Sequence, residues 1–157
     1  MGLIYLEDLE AGQVHELGEH RITREGIVDF ATRWDPQPFH LDEEAGRASI
    51  YGGLIASGWH TVAIFMRLFA DGLLNRAQAM GSPGVDELRW LQPVRPGDLL
   101  RGRVEVLEVR PSRSRPDRGM AKLRSVVVNQ QGEEVLSFVA NVIFGRRPAG
   151  PSVPAAV

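Results

Sequence analysis

The chain contains no cysteine among its 157 residues. This absence excludes a disulfide framework, a thiol nucleophile and any zinc or iron–sulfur site with Cys ligands. It also contains no apolar run that approaches the ~18–20 residues of a membrane span. The chain also lacks a strong excess of positive or negative charge, because its 18 Lys and Arg and its 20 Asp and Glu give a net charge of −2. Such a balance disfavours nucleic acid and anionic membranes as partners.

The length and composition are typical of one globular domain, because hydrophobic residues make up 43% of the chain. The first residues lack the basic segment and apolar core of a signal peptide, so we expect a cytoplasmic protein. We predict one domain over residues 1–145. The tail, residues 146–157, is rich in Pro, Ala and Gly, and we predict that it is disordered.

The first half of the chain predicts helices. Thr23 is a candidate N-cap for a short helix that ends near Trp34. Asp42 is a candidate cap for a second short helix. The segment from Trp59 to about Ala79 is apolar around most of its circumference, which is typical of a buried helix. We therefore predict a long central helix here.

The second half predicts strands separated by Pro- and Gly-containing turns. Alternating apolar and polar residues or β-branched runs mark candidate strands at 85–91, 99–109, 120–129 and 135–144, after an earlier one at 13–23. Consecutive strands that follow a long buried helix indicate an α+β fold with an antiparallel sheet packed on that helix.

Two proton-exchanging side chains bracket a segment with two prolines, Asp35-Pro36-Gln37-Pro38-Phe39-His40. The prolines predict a stiff, extended connection. Unperturbed pKa values of ~3.9 for Asp and ~6.5 for His suit proton transfer near neutrality. On spacing alone, an Asp that caps a turn and a His that packs at a helix start explain the pattern as well.

A second candidate is the entry to the central helix, Leu54-Ile55-Ala56-Ser57-Gly58. A helix that begins at a glycine presents free N–H groups and the positive end of its dipole, which suit an oxygen that gains negative charge. The alternative is that Gly52, Gly53 and Gly58 only form the turn and permit close packing.

These segments together resemble a known family. Residues 35–42 resemble the Asp-x-Asn-Pro-x-His signature of MaoC-like (R)-specific enoyl-CoA hydratases, and residues 53–58 resemble that family's Gly-x-Ile-x-x-Gly segment. Residues 94–98 and 112–119 resemble its later turn and a loop of one bacterial subgroup. The resemblance covers residues 5–145 and implies the hotdog fold, a curved antiparallel sheet wrapped around one long helix.

The resemblance also implies an activity, the reversible addition of water to a trans-2-enoyl thioester. It implies that Asp35 and His40 are catalytic and that Gly58, Ser57 and Gly53 bind the thioester oxygen or the substrate. The substrate would be carried by coenzyme A or an acyl carrier protein, with no separate cofactor. A symmetric homodimer is expected, because one sheet on one helix leaves free edges.

This sequence departs from the family pattern at three positions. The signature Asn is Gln37, which is one methylene longer, and the residue before Gly58 is Ser57 where relatives often have His. Met66 stands where many relatives have a small hydroxyl. We predict a less polar pocket floor, and these changes bear on the substrate more than on the reaction.

The remaining histidines have weaker claims. His60 lies two residues after Gly58, but a helical His near a buried face is more often packed than catalytic, and we assign no role to His15 and His20. A metal site built from Asp35, His40 and His60 is disfavoured, because these three residues include no ligand pair at i, i+4. We therefore expect no metal.

Four arginines lie within nine positions, at 110, 113, 115 and 118. Arg113 and Arg115 are candidate contacts for the phosphates of coenzyme A, since Arg suits phosphate. A solvated hairpin loop explains them equally well. Trp34, Trp59 and Trp90 fit a core or interface better than a cofactor platform.

Two other functions remain open at this stage: a thioesterase of the same fold, and a non-catalytic module that binds acyl thioesters. The acyl chain, the carrier, the physiological direction and the division of acid and base roles between Asp35 and His40 are open as well.

Overall fold

The structure, a computed structural model, describes residues 2–149. Its helices are α1 (Arg24–Trp34), α2 (Pro38–Leu41), α3 (Glu43–Ala48) and α4 (Gly58–Gly72), and its strands are β1 (Val14–Arg21), β2 (Gly84–Trp90), β3 (Leu99–Pro111), β4 (Arg118–Val128) and β5 (Glu134–Gly145). Short 3-10 turns lie at Leu6–Asp8 and Leu74–Arg76. No helix within these residues has the length and apolar character needed to cross a membrane.

The five strands form one antiparallel sheet in the order β1-β3-β4-β5-β2. The chain leaves β1 at one edge, passes through the four helices, and returns as β2 at the other edge. The sheet therefore has two open edges, β1 and β2. This arrangement confirms the predicted α+β class and the hotdog architecture.

The core lies between α4 and the sheet. Ile64, Phe65, Leu68 and Phe69 of α4 are buried, and Phe65 meets Phe138 of β5 edge to face with ring centroids 5.0 Å apart. Complete burial of such a side chain contributes about 1.5–3 kcal/mol. The apolar faces of α4 and the sheet thus hold the helix in a fixed position, and with it the loops at its start.

The central helix is shorter than predicted, because it ends at Gly72 instead of near Ala79. A Cβ on Gly72 would stand only 2.8 Å from the Leu17 Cα atom, so the helix end is pressed against β1. After this contact the chain bends away, and Ala77 and Ala79 form bridges to Ile4 and Phe144. Tertiary packing therefore stops a helix that the apolar pattern alone would continue.

One face of α4 remains uncovered. Three residues along one side of this helix are exposed: Trp59, Ala63 and Met66, of which Met66 is 47% exposed. Met66 is absent from the lining of the pocket described below, so it does not contribute to the less polar pocket floor that we predicted.

The segment after β5 returns to the start of the chain. Arg146 Nε lies 2.9 Å from Glu7 Oε1, and Arg147 Nη2 lies 2.7 Å from Asp8 Oδ1. The first residues of the tail predicted at 146–157 therefore carry ion pairs, because two carboxylates of the N-terminal turn face them. Residues 150–157 lie outside the described residues.

Candidate active site

The end of α1 positions Asp35. Thr23 caps this helix as predicted, since its Oγ1 accepts a 3.0 Å hydrogen bond from the Gly26 N–H. Asp35 is the C-terminal cap, and its N–H donates to the Ala31 carbonyl at 2.9 Å. Pro36 follows and cannot continue the helix. The carboxylate is thus placed by a rigid helix end.

The sequence predicts that the connection from Asp35 to His40 is extended, but in the structure only its first part is extended. Pro38 begins the one-turn helix α2, because a proline is compatible with the first helical position. This turn carries His40 inward, and the side chain is only 5% exposed. Asp42 then caps α3 as predicted, by accepting a 2.8 Å hydrogen bond from Ala45.

The two ring nitrogens of His40 have different partners. Nδ1 lies 2.8 Å from the Ile55 carbonyl oxygen, and Nε2 lies 3.3 Å from Asp35 Oδ2. A carbonyl only accepts hydrogen bonds, so Nδ1 carries the proton. In the neutral ring Nε2 is therefore a free base that faces the carboxylate.

Both oxygens of Asp35 accept hydrogen bonds. Gln37 Nε2 donates to Oδ1 and Ser57 Oγ donates to Oδ2, each at 2.7 Å. Partial burial raises the pKa of this carboxyl, but the hydrogen bonds from Ser57 and Gln37 outweigh burial and hold the pKa below its ordinary value, and a protonated His40 lowers it further. Asp35 is therefore ionised at neutral pH, and Gln37, which stands at the Asn position of the family signature, is one of its hydrogen-bond donors.

The three residues predicted to bind the thioester differ in placement. Because Gly58 begins α4, its N–H has no intrahelical acceptor. Gly58 also lines the pocket, so the positive end of the helix dipole lies at the cavity. Ser57 is fully buried, and its hydroxyl is engaged by Asp35. Gly53 is absent from the lining and packs instead beside Gly46, where a Cβ on Gly46 would stand 2.6 Å from the Gly53 carbonyl carbon.

Asp35, His40 and Gly58 converge on one cavity of about 500 Å³. Its walls are largely apolar and include four aromatic residues, Phe39, Tyr51, Trp59 and Trp90. Apolar walls with a few convergent polar groups are typical of small-molecule sites. The arrangement can hold an apolar acyl group with its polar end against an acid–base pair and a helix N-terminus.

Sequence reasoning missed three parts of this pocket. Trp90 of β2 covers Gly58 so closely that a Cβ there would lie 2.4 Å from the ring, and Trp90 also meets Trp59 at 5.1 Å. Trp59 and Trp90 are thus half-exposed pocket walls and not core residues. Thr61, which is buried one turn into α4, also lines the cavity. The Ile55 carbonyl completes the set, and no side-chain pattern could have indicated a backbone atom.

The other predicted candidates lie away from the cavity. His60 stacks on Phe30 with ring centroids 4.7 Å apart and lies outside the lining, as expected of a packed histidine. Burial, with a smaller effect of His20, lowers the pKa of His60 to about 4. Within residues 2–149 no three His, Asp or Glu side chains are grouped as metal ligands.

The arginines of the β3–β4 hairpin lie at the far end of the sheet from Asp35 and His40. Trp90 of the pocket pairs with Leu136 of β5, whereas Ile143 of β5 lies beside the arginines, seven residues or about 23 Å further along the strand at 3.3 Å per residue. Arg113 lines a separate groove there, whereas Arg115 does not. The structure therefore does not bring either arginine to the catalytic pocket of its own chain.

Comparison with known proteins agrees with this fold. The MaoC like domain model matches residues 9–142. A MaoC-like dehydratase from Rhodospirillum rubrum superposes with a TM-score of 0.88 at 48% identity, over 93% of this chain and 99% of that one. The (R)-hydratase PhaJ1 of Pseudomonas aeruginosa superposes with a TM-score of 0.75 at 25% identity, over 99% and 97% of the two chains.

Among curated proteins, a 3-hydroxybutyryl-CoA dehydratase from Methylorubrum extorquens is 31% identical over 115 residues, which are 72% of this chain and 70% of that protein. The architecture is that of a hotdog enzyme with an Asp–His pocket. The chain belongs to the MaoC-like dehydratase family. It is a hydro-lyase, an enzyme that adds or removes water.

Proposed function

We propose that this protein catalyses the reversible hydration of a trans-2-enoyl thioester, with coenzyme A as the carrier, to a 3-hydroxyacyl thioester, as a cytoplasmic enzyme of fatty-acid metabolism. The observation that carries the proposal is the facing pair of His40 Nε2 and Asp35 Oδ2, 3.3 Å apart at one end of an apolar pocket. The names of the relatives, a dehydratase and an (R)-hydratase, support this reaction class.

The pair suits one water molecule. With the proton of His40 on Nδ1 and Asp35 ionised, Nε2 and Oδ2 are both acceptors. Two adjacent acceptors bind the two hydrogens of one water and leave a lone pair of its oxygen free. That lone pair is directed at the carbon that accepts the nucleophile, C3 of the enoyl group.

The proton balance needs only this pair. As the water oxygen bonds to C3, one of its protons passes to the acid–base pair, and the electrons of the double bond move toward the thioester oxygen. The same proton then returns to C2 as the C–H bond forms. Either member of the pair satisfies this balance, because Nε2 and Oδ2 are both acceptors that can take the proton and return it.

Gly58 completes the chemistry at the thioester. Negative charge develops on the thioester oxygen, and we assign its stabilisation to the N–H of Gly58 at the start of the 15-residue helix α4. One such donor is typically worth about 2.7–4 kcal/mol of activation free energy. The Ser57 hydroxyl does not serve this oxygen, since it donates to Asp35.

The enzyme is proposed to work as a homodimer. The edge strand β2 is exposed on both faces, and it adjoins the uncovered Trp59, Ala63 and Met66 stripe of α4 through the Trp59–Trp90 contact. An open edge beside an apolar helix face is a surface that a second copy covers by pairing its own β2.

An assay on enoyl-CoA substrates tests the function. We expect loss of the enoyl absorbance without release of free thiol, and a reduction of turnover by about 10²–10⁴ in Asp35→Asn. Arg33→Ala, which removes an exposed ion pair with Asp29, is the matched control. Thiol release would indicate a thioesterase instead, and binding of crotonyl-CoA without turnover would indicate a non-catalytic module.

A further inference from the structure

The Thr61 hydroxyl is buried at the wall of the catalytic cavity, yet no group among residues 2–149 forms a hydrogen bond with it. The residue is only 2% exposed and belongs to the cavity lining. The side-chain hydrogen bonds of this region, such as that from Ser57 to Asp35, do not include it. Burial of a polar group without a hydrogen bond is unfavourable, so a hydroxyl kept in this state points to a partner that arrives with the substrate.

Thr32 shows how a helical threonine of this chain otherwise satisfies its hydroxyl. In α1 the Thr32 hydroxyl donates to the Val28 carbonyl, four residues earlier, at 2.7 Å. The equivalent acceptor for Thr61 is the Ser57 carbonyl, which accepts instead from the N–H groups of His60 and Thr61 at 3.0 and 3.2 Å. The Thr61 hydroxyl is therefore not committed to the main chain of its own helix.

The open space next to this hydroxyl is the cavity. Two side-chain nitrogens among the described residues are sealed inside the protein without a partner, His15 Nε2 and His60 Nδ1. Thr61 Oγ1 also lacks a partner but is not sealed, because Thr61 lines the cavity. An acceptor atom of a molecule in the cavity can therefore reach it.

The position of Thr61 on α4 indicates which acceptor it meets. Thr61 follows Ser57 by four residues and Gly58 by three, so it is a helical neighbour of both. Side chains of a helix lean toward its N-terminus, and Gly58 has no side chain that intervenes. The Thr61 hydroxyl consequently borders the space in front of the Gly58 N–H.

We propose that Thr61 is a further catalytic residue, whose hydroxyl donates a second hydrogen bond, beside that of the Gly58 N–H, to the thioester oxygen as negative charge develops there. This inference rests on the proposed function, in which that oxygen lies at the start of α4. The hydroxyl keeps its proton throughout, so the proton exchange by Asp35 and His40 is unchanged. A carbonyl oxygen accepts two donors, and a donor without a competing protein acceptor needs no rearrangement before the reaction.

Thr61→Val and Thr61→Ser separate the hydroxyl from the space that the side chain fills. Thr61→Val keeps the branched shape and removes the donor, so kcat on an enoyl-CoA substrate falls by about 10- to 100-fold. KM changes little, because the charge develops only in the transition state. Thr61→Ser keeps the donor and restores most of kcat. Thr32→Val, the same substitution at a hydroxyl committed to Val28, is the matched control and leaves kcat unchanged.

Thermal unfolding distinguishes this role from a structural one. Replacement of a buried, unpaired hydroxyl by a methyl group removes a desolvation cost, so the Tm of Thr61→Val equals that of the wild type or exceeds it. A lower Tm together with equal losses of kcat in Thr61→Val and Thr61→Ser assigns the residue to packing and overturns the proposal. A loss confined to KM, or to acyl groups that carry a polar substituent, also overturns it, because the hydroxyl then recognises the acyl chain.

An infrared measurement separates failure of this proposal from failure of the proposed function. The probe is butyryl-CoA with an isotope label at its thioester carbonyl carbon, which has no double bond to hydrate. Hydrogen bonds to the carbonyl oxygen lower its stretching frequency. We expect a lower frequency for the thioester bound to the wild type and Thr61→Ser than to Thr61→Val, whether or not the wild type hydrates an enoyl thioester. Equal frequencies in the three proteins, or no binding of butyryl-CoA to the wild type, overturn the assignment even where hydration is observed.

Discussion

The imidazole rings of His40 on α2 and His60 on α4 are both largely removed from solvent, but their surroundings differ. His40 Nδ1 bonds to a carbonyl and Nε2 faces a carboxylate at the cavity wall. His60 Nδ1 is buried without a hydrogen-bond partner among the described residues, and its ring is stacked on Phe30. Burial of an imidazole therefore does not make a site. The partners of its two nitrogens and access to a cavity do.

The largest expected effect contrasts the two histidines directly. His40→Gln removes the free base at Nε2, so we expect turnover to fall by about 10²–10⁴. His60→Gln leaves the pocket walls in place, and its turnover stays within about threefold of wild type. Steady-state kinetics on an enoyl-CoA substrate measure both, and equal losses in the two variants would remove the distinction.

Gly58→Ala tests the contact between the start of α4 and the Trp90 ring in the pocket wall. The new methyl group would lie 2.4 Å from the Trp90 ring, so the ring must move away from the start of α4. We expect kcat/KM to fall by about tenfold, or about 1.4 kcal/mol. Trp90→Ala/Gly58→Ala should lose no more than Trp90→Ala alone, because the clash is then absent. Additive losses would show that the clash is not the cause.

Ser57→Ala separates placement of Asp35 from chemistry. The variant removes a hydrogen bond that lowers the pKa of Asp35, so that pKa rises and the acid limb of the kcat/KM profile moves to higher pH. At neutral pH we expect a loss of about three- to tenfold, the worth of one hydrogen bond of about 1 kcal/mol. Ser57→Thr, which keeps the hydroxyl, should restore the profile, and an unmoved limb in Ser57→Ala would contradict this role.

The smallest effect concerns stability around His60. Its pKa is lowered to about 4 in the folded chain, chiefly by burial, while the unfolded chain titrates near 6.5. Between these values the unfolded state binds more protons, so stability is lost as pH falls from about 6.5 to 4. Urea unfolding of His60→Phe should show a shallower loss over this window. An identical slope would assign the pH dependence to other groups, such as His15.

Local features of this chain could be predicted from sequence because local interactions form them. Thr23 and Asp42 cap their helices through side-chain oxygens three residues before the bonded N–H groups. The strands follow from alternation along each segment. Asp35 and His40 could be paired because only four residues separate them and prolines stiffen the link.

Features that depend on distant contacts were missed. α4 ends at Gly72 because Leu17 of β1 lies against it, and Trp90 reaches the pocket because β2 occupies the sheet edge beside α4. The separation of Arg113 from the pocket is likewise a property of strand register, which composition does not encode. The residue type of Arg113 and Arg115 suggests phosphate binding, but the sequence does not give their position relative to the pocket.

The link between Ile55 and His40 has a consequence for how this enzyme tolerates change. The main chain of Ile55 is held at both ends, because its N–H donates to the Phe39 carbonyl at 3.2 Å while its carbonyl oxygen accepts from His40 Nδ1. The group that fixes the imidazole tautomer thus belongs to the main chain, and replacing the residue at position 55 cannot delete it. A different side chain at position 55 can therefore change the shape of the cavity for larger or smaller acyl groups, while Nδ1 of His40 keeps its proton and its hydrogen bond.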